Sequence, residues 1–269
     1  MAKAAVTAVE RALAMIEAFA AARRPLSLTE LSRSIGAPKS SCHAIVGTLV
    51  ENGYLYSLSR PRSLYPTRRL HDLAREILAH DPFIDLATPS LEALRDATGE
   101  TVIFGKRQGD AVIYLQVIEG PNPIRYSAGP GERKPLHSSA IGKALLGSLR
   151  DADLRTLLDR LELPAVTGAT LVDRKALHGD LVKGRRRGWY VTRGENVADV
   201  WAVATTLVID GETLAVAVAG PRHRMEASLD EFARRLLSTC SDLARHAGST
   251  GGDSGRRAGA VSAGDRRAG

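Results

Sequence analysis

Apolar residues recur at helical spacing through the first eighty residues and then give way to alternating runs. Between Val6 and Ala22, Val9, Leu13, Ile16 and Phe19 return every three or four positions, which predicts an amphipathic helix ended by Arg23-Arg24-Pro25. Leu28, Leu31 and Ile35 mark a short second helix, with Ser27 as its cap and Glu30 as the reciprocal partner in a capping box. Gly36-Ala37 makes a tight turn, and Pro38 suits the first position of a further helix, whose inward face is Ile45, Val46 and Leu49. Asn52-Gly53 signals a turn, and Tyr54-Leu55-Tyr56 favours a strand. The polar loop SLSRPRS (57–63) follows, and Leu64-Tyr65 starts a returning strand that Pro66 ends. Helix, turn, helix and hairpin read as a winged helix-turn-helix over 1–66. Residues 67–80 carry one more stripe, Leu70, Leu73 and Ile77, closed by Asp81-Pro82. It predicts a linker helix whose stripe either packs within one chain or pairs between two; pairing is expected.

From Phe83 the pattern is mixed. A helix over about 83–98 precedes strand-like runs at Thr101–Lys106 and Ala111–Ile118, joined by Gln108-Gly109-Asp110. A short strand near Ile124–Ser127 leads into the loop AGPGERKPLH, and helices follow at Ser138–Leu149, around Leu154–Arg160, and at Asp173–Gly188. Strands are expected at Trp189–Thr192, Trp201–Ile209 and Leu214–Ala219, the last two joined by Asp210-Gly211, before a closing helix from Met225 to Ala247. Hairpins flanked by helices indicate an α+β sheet domain over 81–247 rather than alternating parallel units. Residues 248–269, rich in Gly, Ser, Ala and Arg, are expected to be disordered.

Charge is unevenly placed. Residues 1–80 hold 11 Lys and Arg against 6 Asp and Glu, residues 81–247 hold 22 against 22, and the last 22 residues hold 4 against 2. The surplus of +7 therefore sits at the helix-turn-helix end and in the tail, as a nucleic-acid partner requires. The chain has two cysteines, Cys42 and Cys240, too few for a disulfide framework, and nothing has zinc-ligand spacing. No run of about 18 apolar residues or secretory h-region is present, so a cytoplasmic protein with no membrane partner is expected.

The chemistry follows the charge. On the third helix Lys39, Ser40, Ser41 and His43 are short polar or cationic groups suited to base edges and phosphates, with Thr29 on the preceding helix. Arg60 and Arg62 in the wing suit phosphate or minor-groove contact. Enzyme readings fare poorly. Gly142-Lys143 lacks the earlier glycine and the following hydroxyl of a phosphate-binding loop, since His137 and Ala144 stand there. Gly252-Asp253-Ser254-Gly255 lies in the tail with no framework for a triad. His137 is expected to brace its loop. A hydrolase and a ligand-independent architectural DNA-binding protein remain as distant alternatives, and no metal or cofactor is called for.

Residues 6–247 resemble the IclR family of bacterial transcriptional regulators. The resemblance is carried in order by VERAL from Val9, LTELSRSIGAPKSSCHAIVGTLVENGYL from Leu28, GPGERKPLHSSAIGKALL from Gly129, and Leu177–Gly188 followed by WYVT. It implies a winged helix, a linker helix (67–80) and a C-terminal GAF-like α/β effector-binding domain, forming homodimers or dimers of dimers on palindromic double-stranded operator DNA. It also implies a regulator of a catabolic or metabolic operon controlled by a small organic-acid or aromatic metabolite. Repression is the expected sign and ligand-responsive activation the alternative. The implied effector wall comprises Leu136, Ser138, Ser139, Ala140, Ile141 and Gly142, where backbone N–H groups at a helix start suit a carboxylate. The implied facing wall comprises Arg193, Trp201, Thr205, Ala217 and Ala219.

The chain departs from the family pattern in three places. Ala44 stands where the recognition helix usually has Arg. Where many members have Gly, Cys, then Ala-Ala-Pro, this chain has Asp199, Val200, Trp201 and then AVATT from Ala202. Where many have Ser-x-Ser, it has Ala217-Val218-Ala219. A more apolar far wall follows, with Trp201 offering either a flat face to a ring or a core anchor.

Overall fold

The computed structural model describes residues 7–59, 62–81 and 83–257, with side chains to 248. The chain divides into two units, Met1–Asp81 and Pro82–Gly269.

In the first unit, α1 (Thr7–Ala22) buries Met15 and Phe19 against α2 (Leu28–Ser34) and α3 (Lys39–Glu51). This corrects the expected stripe, because Val9 and Leu13 are 56% and 57% exposed. The helix has two apolar faces, and at 3.6 residues per turn Met15 lies about 160° around the axis from Leu13. The smaller companions of Met15 and Phe19, Ala18 and Ala22, complete the face that packs. Ser27 and Glu30 form the capping box, the Glu30 backbone N–H donating to Ser27 Oγ and the Ser27 N–H to Glu30 Oε2. Gly36 supplies the left-handed turn (φ 62°), and Pro38 caps α3 from outside it. Cys42 lies fully buried in the core these helices share. The wing pairs β1 (Leu55–Leu58) with β2 (Ser63–Pro66), so its loop is shorter than expected, and Leu64 bonds back to Leu26. Next, α4 (Arg69–Leu78) buries none of its residues; Leu73, Ile77 and Leu78 are exposed.

The second unit is a six-stranded antiparallel sheet in the order β5-β4-β3-β8-β7-β6. In chain order its elements are α5 (Ile84–Thr98), β3 (Thr101–Gln108), β4 (Ala111–Ile118), β5 (Arg133–Pro135), α6 (Ala140–Gly147), α7 (Asp151–Arg160), α8 (Arg174–Arg187), β6 (Tyr190–Arg193), β7 (Val200–Ile209), β8 (Glu212–Pro221) and α9 (Arg222–Arg257). Asp210 and Gly211 both take positive φ, as a two-residue hairpin turn requires. No strand forms at Ile124–Ser127. That stretch is a loop, held by Thr101 Oγ1 donating to the Tyr126 carbonyl at 2.5 Å and by Arg224 donating to the Ile124 carbonyl at 2.9 Å. The strand at that edge is instead β5, which starts nine residues after Ile124.

Each face of the sheet has its own core. Helices α6, α7 and α8 pack on the face that carries Ile103, Ala204, Ala215, Ala217 and Ala219. Helices α5 and α9 cover the other face, with Phe104, Val203, Val216 and Val218. A register shift between Phe104 and Gly105 lets β4 keep Val112 and Tyr114 on the first face. The closing helix, kinked at Ser228, continues to Arg257, past the expected end at Ala247, since helix propagation needs only one further bond per residue. The remainder of the tail, 258–269, lies outside the described residues.

Replacing Ser27 with alanine removes an acceptor for an otherwise unpaired helix N–H and is expected to cost about 1 kcal/mol. Urea unfolding followed by circular dichroism measures it. The capping contacts and Arg24 hold the Glu30 carboxyl down at about 2. A depressed carboxyl stabilises above its unfolded value, so this contribution is lost as pH falls from about 4.5 towards 2, and Glu30→Gln should flatten that acid limb.

Candidate functional site

On the first unit, α3 presents Lys39, Ser40, His43 and Ala44 to solvent, with Thr29 exposed on α2 and Arg62 exposed at the wing tip. The four on α3 share a surface because the inward side of α3 is taken by Cys42 and Val46. Ser41 differs from its neighbours. It is half-buried, and its hydroxyl accepts a 2.6 Å hydrogen bond from Arg11 on α1, a tie no sequence signal announced. Arg60 lies outside the described residues.

On the second unit a small, half-enclosed cavity opens beside the start of α6. Three alanines make room for it: Ala202, Ala217 and Ala219, with Ala202 directly opposite Ala219 across β7 and β8. Ile103, Ile141 and Val200 add further apolar wall. The polar lining comes from Tyr114, Tyr126, Ser139, Thr192 and Asn196. Burial pushes the Tyr114 phenol upward, so it stays protonated. Ser139 caps α6, accepting from the Gly142 N–H at 3.2 Å and donating to the Pro135 carbonyl at 2.7 Å. Thr192 is buried as a residue, and its hydroxyl has no hydrogen-bond partner among the described residues.

Of the residues expected at an effector wall, Ser139, Ala140, Ile141, Ala217 and Ala219 line this cavity. Leu136, Ser138 and Gly142 frame it from behind. Leu136 is core, Ser138 accepts from Asn196 Nδ2 at 3.1 Å, and Gly142 sits so close to the Leu136 backbone that a Cβ would overlap it. Arg193, Trp201 and Thr205 are on the opposite side of the sheet, which corrects their expected place. Side chains alternate along a strand, so Val200 and Ala202 face the cavity while Trp201 joins the core under α9. There Arg193 and Arg222 stand over the Trp201 ring at 5.3 and 5.8 Å, and Thr205 donates to the Gly188 carbonyl. Alternation would have named Val200, Ala202 and Thr192. Tyr126 and Asn196 lie in loops, where no periodicity marks them.

Behind the α6 wall lies a buried ionic cluster. Lys143, wholly buried, donates to Asp180 on α8 at 2.8 Å and to Glu195 in the β6–β7 loop at 2.7 Å. Thr167 and Thr170 donate to the carbonyls of Gly194 and Glu195, fixing that loop. Burial pushes the Glu195 carboxyl up despite Lys143, and Asp180 adds to the rise. His137 Nε2 donates to the Pro164 carbonyl at 2.9 Å, so the histidine braces its loop. Burial, assisted by the Lys143 charge, holds it below the usual imidazole range.

Comparison with known proteins defines the class. The description "IclR helix-turn-helix domain" matches residues 8–59, and "Bacterial transcriptional regulator IclR C-terminal" matches residues 76–245. This chain belongs to the IclR family of bacterial transcriptional regulators. It is a DNA-binding regulator with a C-terminal effector-binding domain of GAF-like α/β fold, and its relatives are named as regulators rather than enzymes. Among those relatives is the HTH-type transcriptional regulator BhcR of Paracoccus denitrificans, 32% identical over 243 residues covering 88% of this chain and 86% of BhcR. The Thermotoga maritima IclR crystal structure shares the fold (TM-score 0.76, 21% identity, 91% of this chain and 100% of that one). An IclR homologue from Microbacterium hydrocarbonoxydans, solved in complex with 4-hydroxybenzoate, does so too (TM-score 0.69, 19% identity, 88% and 98%). No helix among the described residues is long and apolar enough to cross a membrane.

Lys143→Ala strands the buried Glu195 carboxylate and is expected to destabilise the second unit by about 3 kcal/mol. Tryptophan fluorescence reads it, because Trp189 and Trp201 both lie there. A raised carboxyl stabilises below its unfolded value and loses that contribution as pH rises through its folded one. Melting temperature should therefore decline over that rise in wild type and less so in Glu195→Gln.

Proposed function

We propose that this regulator represses a catabolic or metabolic operon and is relieved by a small organic acid held in the alanine-floored cavity. The observation that carries the reading is the cavity itself: mostly apolar, with the first backbone N–H groups of α6 and a few hydroxyls as its polar anchors. Such a lining suits an acid with an apolar or aromatic body, and the 4-hydroxybenzoate bound by the Microbacterium hydrocarbonoxydans homologue is one acid of that kind.

Operator contact is assigned to Lys39, Ser40 and His43 on α3, with Thr29, Ser41 and the wing residues Arg60 and Arg62 in support. Ser41 is held to Arg11 and so acts through the position of α3 as much as by direct contact. Two copies of the chain are needed to read a palindrome with half-sites about 34 Å apart or a multiple of it. The exposed apolar residues of α1 and α4, Val9, Leu13, Leu73 and Ile77, support pairing between copies. In that arrangement α4 links the effector domains to the recognition helices, so a shift of a few ångströms in their spacing changes operator affinity. Reciprocity follows: operator DNA alters effector affinity by the same factor. Such a protein works in the cytoplasm, where its DNA target is.

A fluorescent duplex from upstream of the protein's own gene tests the DNA arm. Lys39→Ala should weaken binding to every sequence and reduce the salt dependence by about one phosphate contact. His43→Ala should instead relax sequence choice, and an unchanged operator preference in that variant removes its base-reading role. For the effector arm, thermal-shift screening of aromatic and aliphatic acids should find a stabilising compound. Ala217→Leu, which fills the cavity floor, should abolish that response while operator binding persists. Stabilisation by glyoxylate or pyruvate, and by no aromatic or longer acid, argues against the apolar-bodied acid.

A further inference from the structure

We propose that the cavity admits carboxylates bearing a single negative charge and turns away doubly charged acids and phosphate esters, with the buried Asp180–Lys143–Glu195 cluster setting that limit. The inference rests on reading the cavity as the effector site.

Among the described residues, no lysine, arginine or histidine lines the cavity. What it offers an anion is the start of α6, where Ala140 and Ile141 both line it. The next two N–H groups are already engaged, Gly142 with Ser139 Oγ at 3.2 Å and Lys143 with the Ser139 carbonyl at 2.9 Å. A helix start carries about half an elementary charge, which suits one carboxylate and leaves a second unmatched. Thr192 points to an occupant independently of the helix. It is 4% exposed, lines the cavity, and its hydroxyl has no partner among the described residues, so it is free to bond a guest.

The cluster behind the wall makes a second negative charge worse. Lys143 stands two residues after Ile141, but its ammonium is turned away from the cavity and spent on two carboxylates, leaving a net charge of one negative. Glu195 directly precedes Asn196, which lines the cavity, so the cluster adjoins the wall through the chain itself. His137, held below the usual imidazole range, adds no compensating cation near neutral pH. At the rim, Lys134 lies 5.9 Å from the Tyr114 ring centroid, but Glu132 pairs with it at 2.8 Å. A dianion thus meets one half-charge in front and a like net charge behind, with no free cation to offset it.

Two sets of acids that keep their shape while changing charge test this on the full-length protein. One is terephthalate, 4-carbamoylbenzoate and terephthalamide; the other is succinate, succinamate and succinamide. Calorimetry at neutral pH should find the singly charged member of at least one set bound tightest, with its dianion weaker by about tenfold or more. Glu195→Gln, and separately Asp180→Asn, each remove one negative charge and should narrow that gap by roughly fivefold. A dianion that binds as tightly as its monoamide, or a diamide that equals it, overturns the charge limit while leaving the cavity an effector site. An unchanged gap in both variants, each shown folded by its melting transition, overturns the role of the cluster. Silence from every compound at millimolar concentration, in wild type and variants alike, overturns the cavity as an effector site and the limit with it.

Discussion

Alternation along the strands of an antiparallel sheet covered on both faces governs this protein. In β8, Leu214, Val216 and Val218 pack under α5 and α9, while Ala215, Ala217 and Ala219 face α6. In β7 the same rule sends Trp201 and Val203 one way and Ala202 and Ala204 the other. Large side chains on one face make a solid core. Small ones on the other leave a gap that α6 cannot close, because Gly142 draws the start of α6 against the Leu136 backbone. The cavity is thus a consequence of where volume was withheld, and a one-residue slip in either strand would erase it.

The position of α6 in turn depends on groups that never reach the cavity. Ser139 caps its first turn, and Lys143 fastens its next turn to α8 and to the β6–β7 loop. That loop carries Asn196 and Val197 to the lining, held by Thr167, Thr170 and Glu195. Burying Lys143 and Glu195 is costly, and an apolar substitute of similar shape would serve stability as well. What the charges add is geometry, since one ammonium joins three separate chain segments, and an electrostatic background that an apolar core would lack.

The first unit follows a different economy. Its core is small, built from Met15, Phe19, Leu31, Cys42, Val46 and the residues about them. Much of α3 is left facing outward, and so is nearly all of α4. A helix with no buried residue has little reason to persist alone, and the exposed leucine and isoleucine side chains of α4 are what a second copy would cover. Recognition surface and assembly surface are both obtained by leaving the core incomplete.

Much of this was legible in the chain before any coordinates. Ser27 and Glu30 define a cap through local bonds alone, Gly36 and Asp210-Gly211 mark turns that need positive φ, and heptad-like spacing or alternation gives nearly every element its type. Those signals work because their cause lies within a few residues. Facing was harder. Trp201 is the most conspicuous residue of its strand and was expected in the cavity, yet pleating places it on the far side. Val9 and Leu13 outrank Met15 and Ala18 in apparent apolarity, yet the latter pack. The meeting of Lys143, Asp180 and Glu195, spread over 53 positions, has no signature at all. Local sequence determined which segments are helix, strand and turn. Only the tertiary structure decided which side of each is inside, because burial is a property of what arrives from elsewhere in the chain.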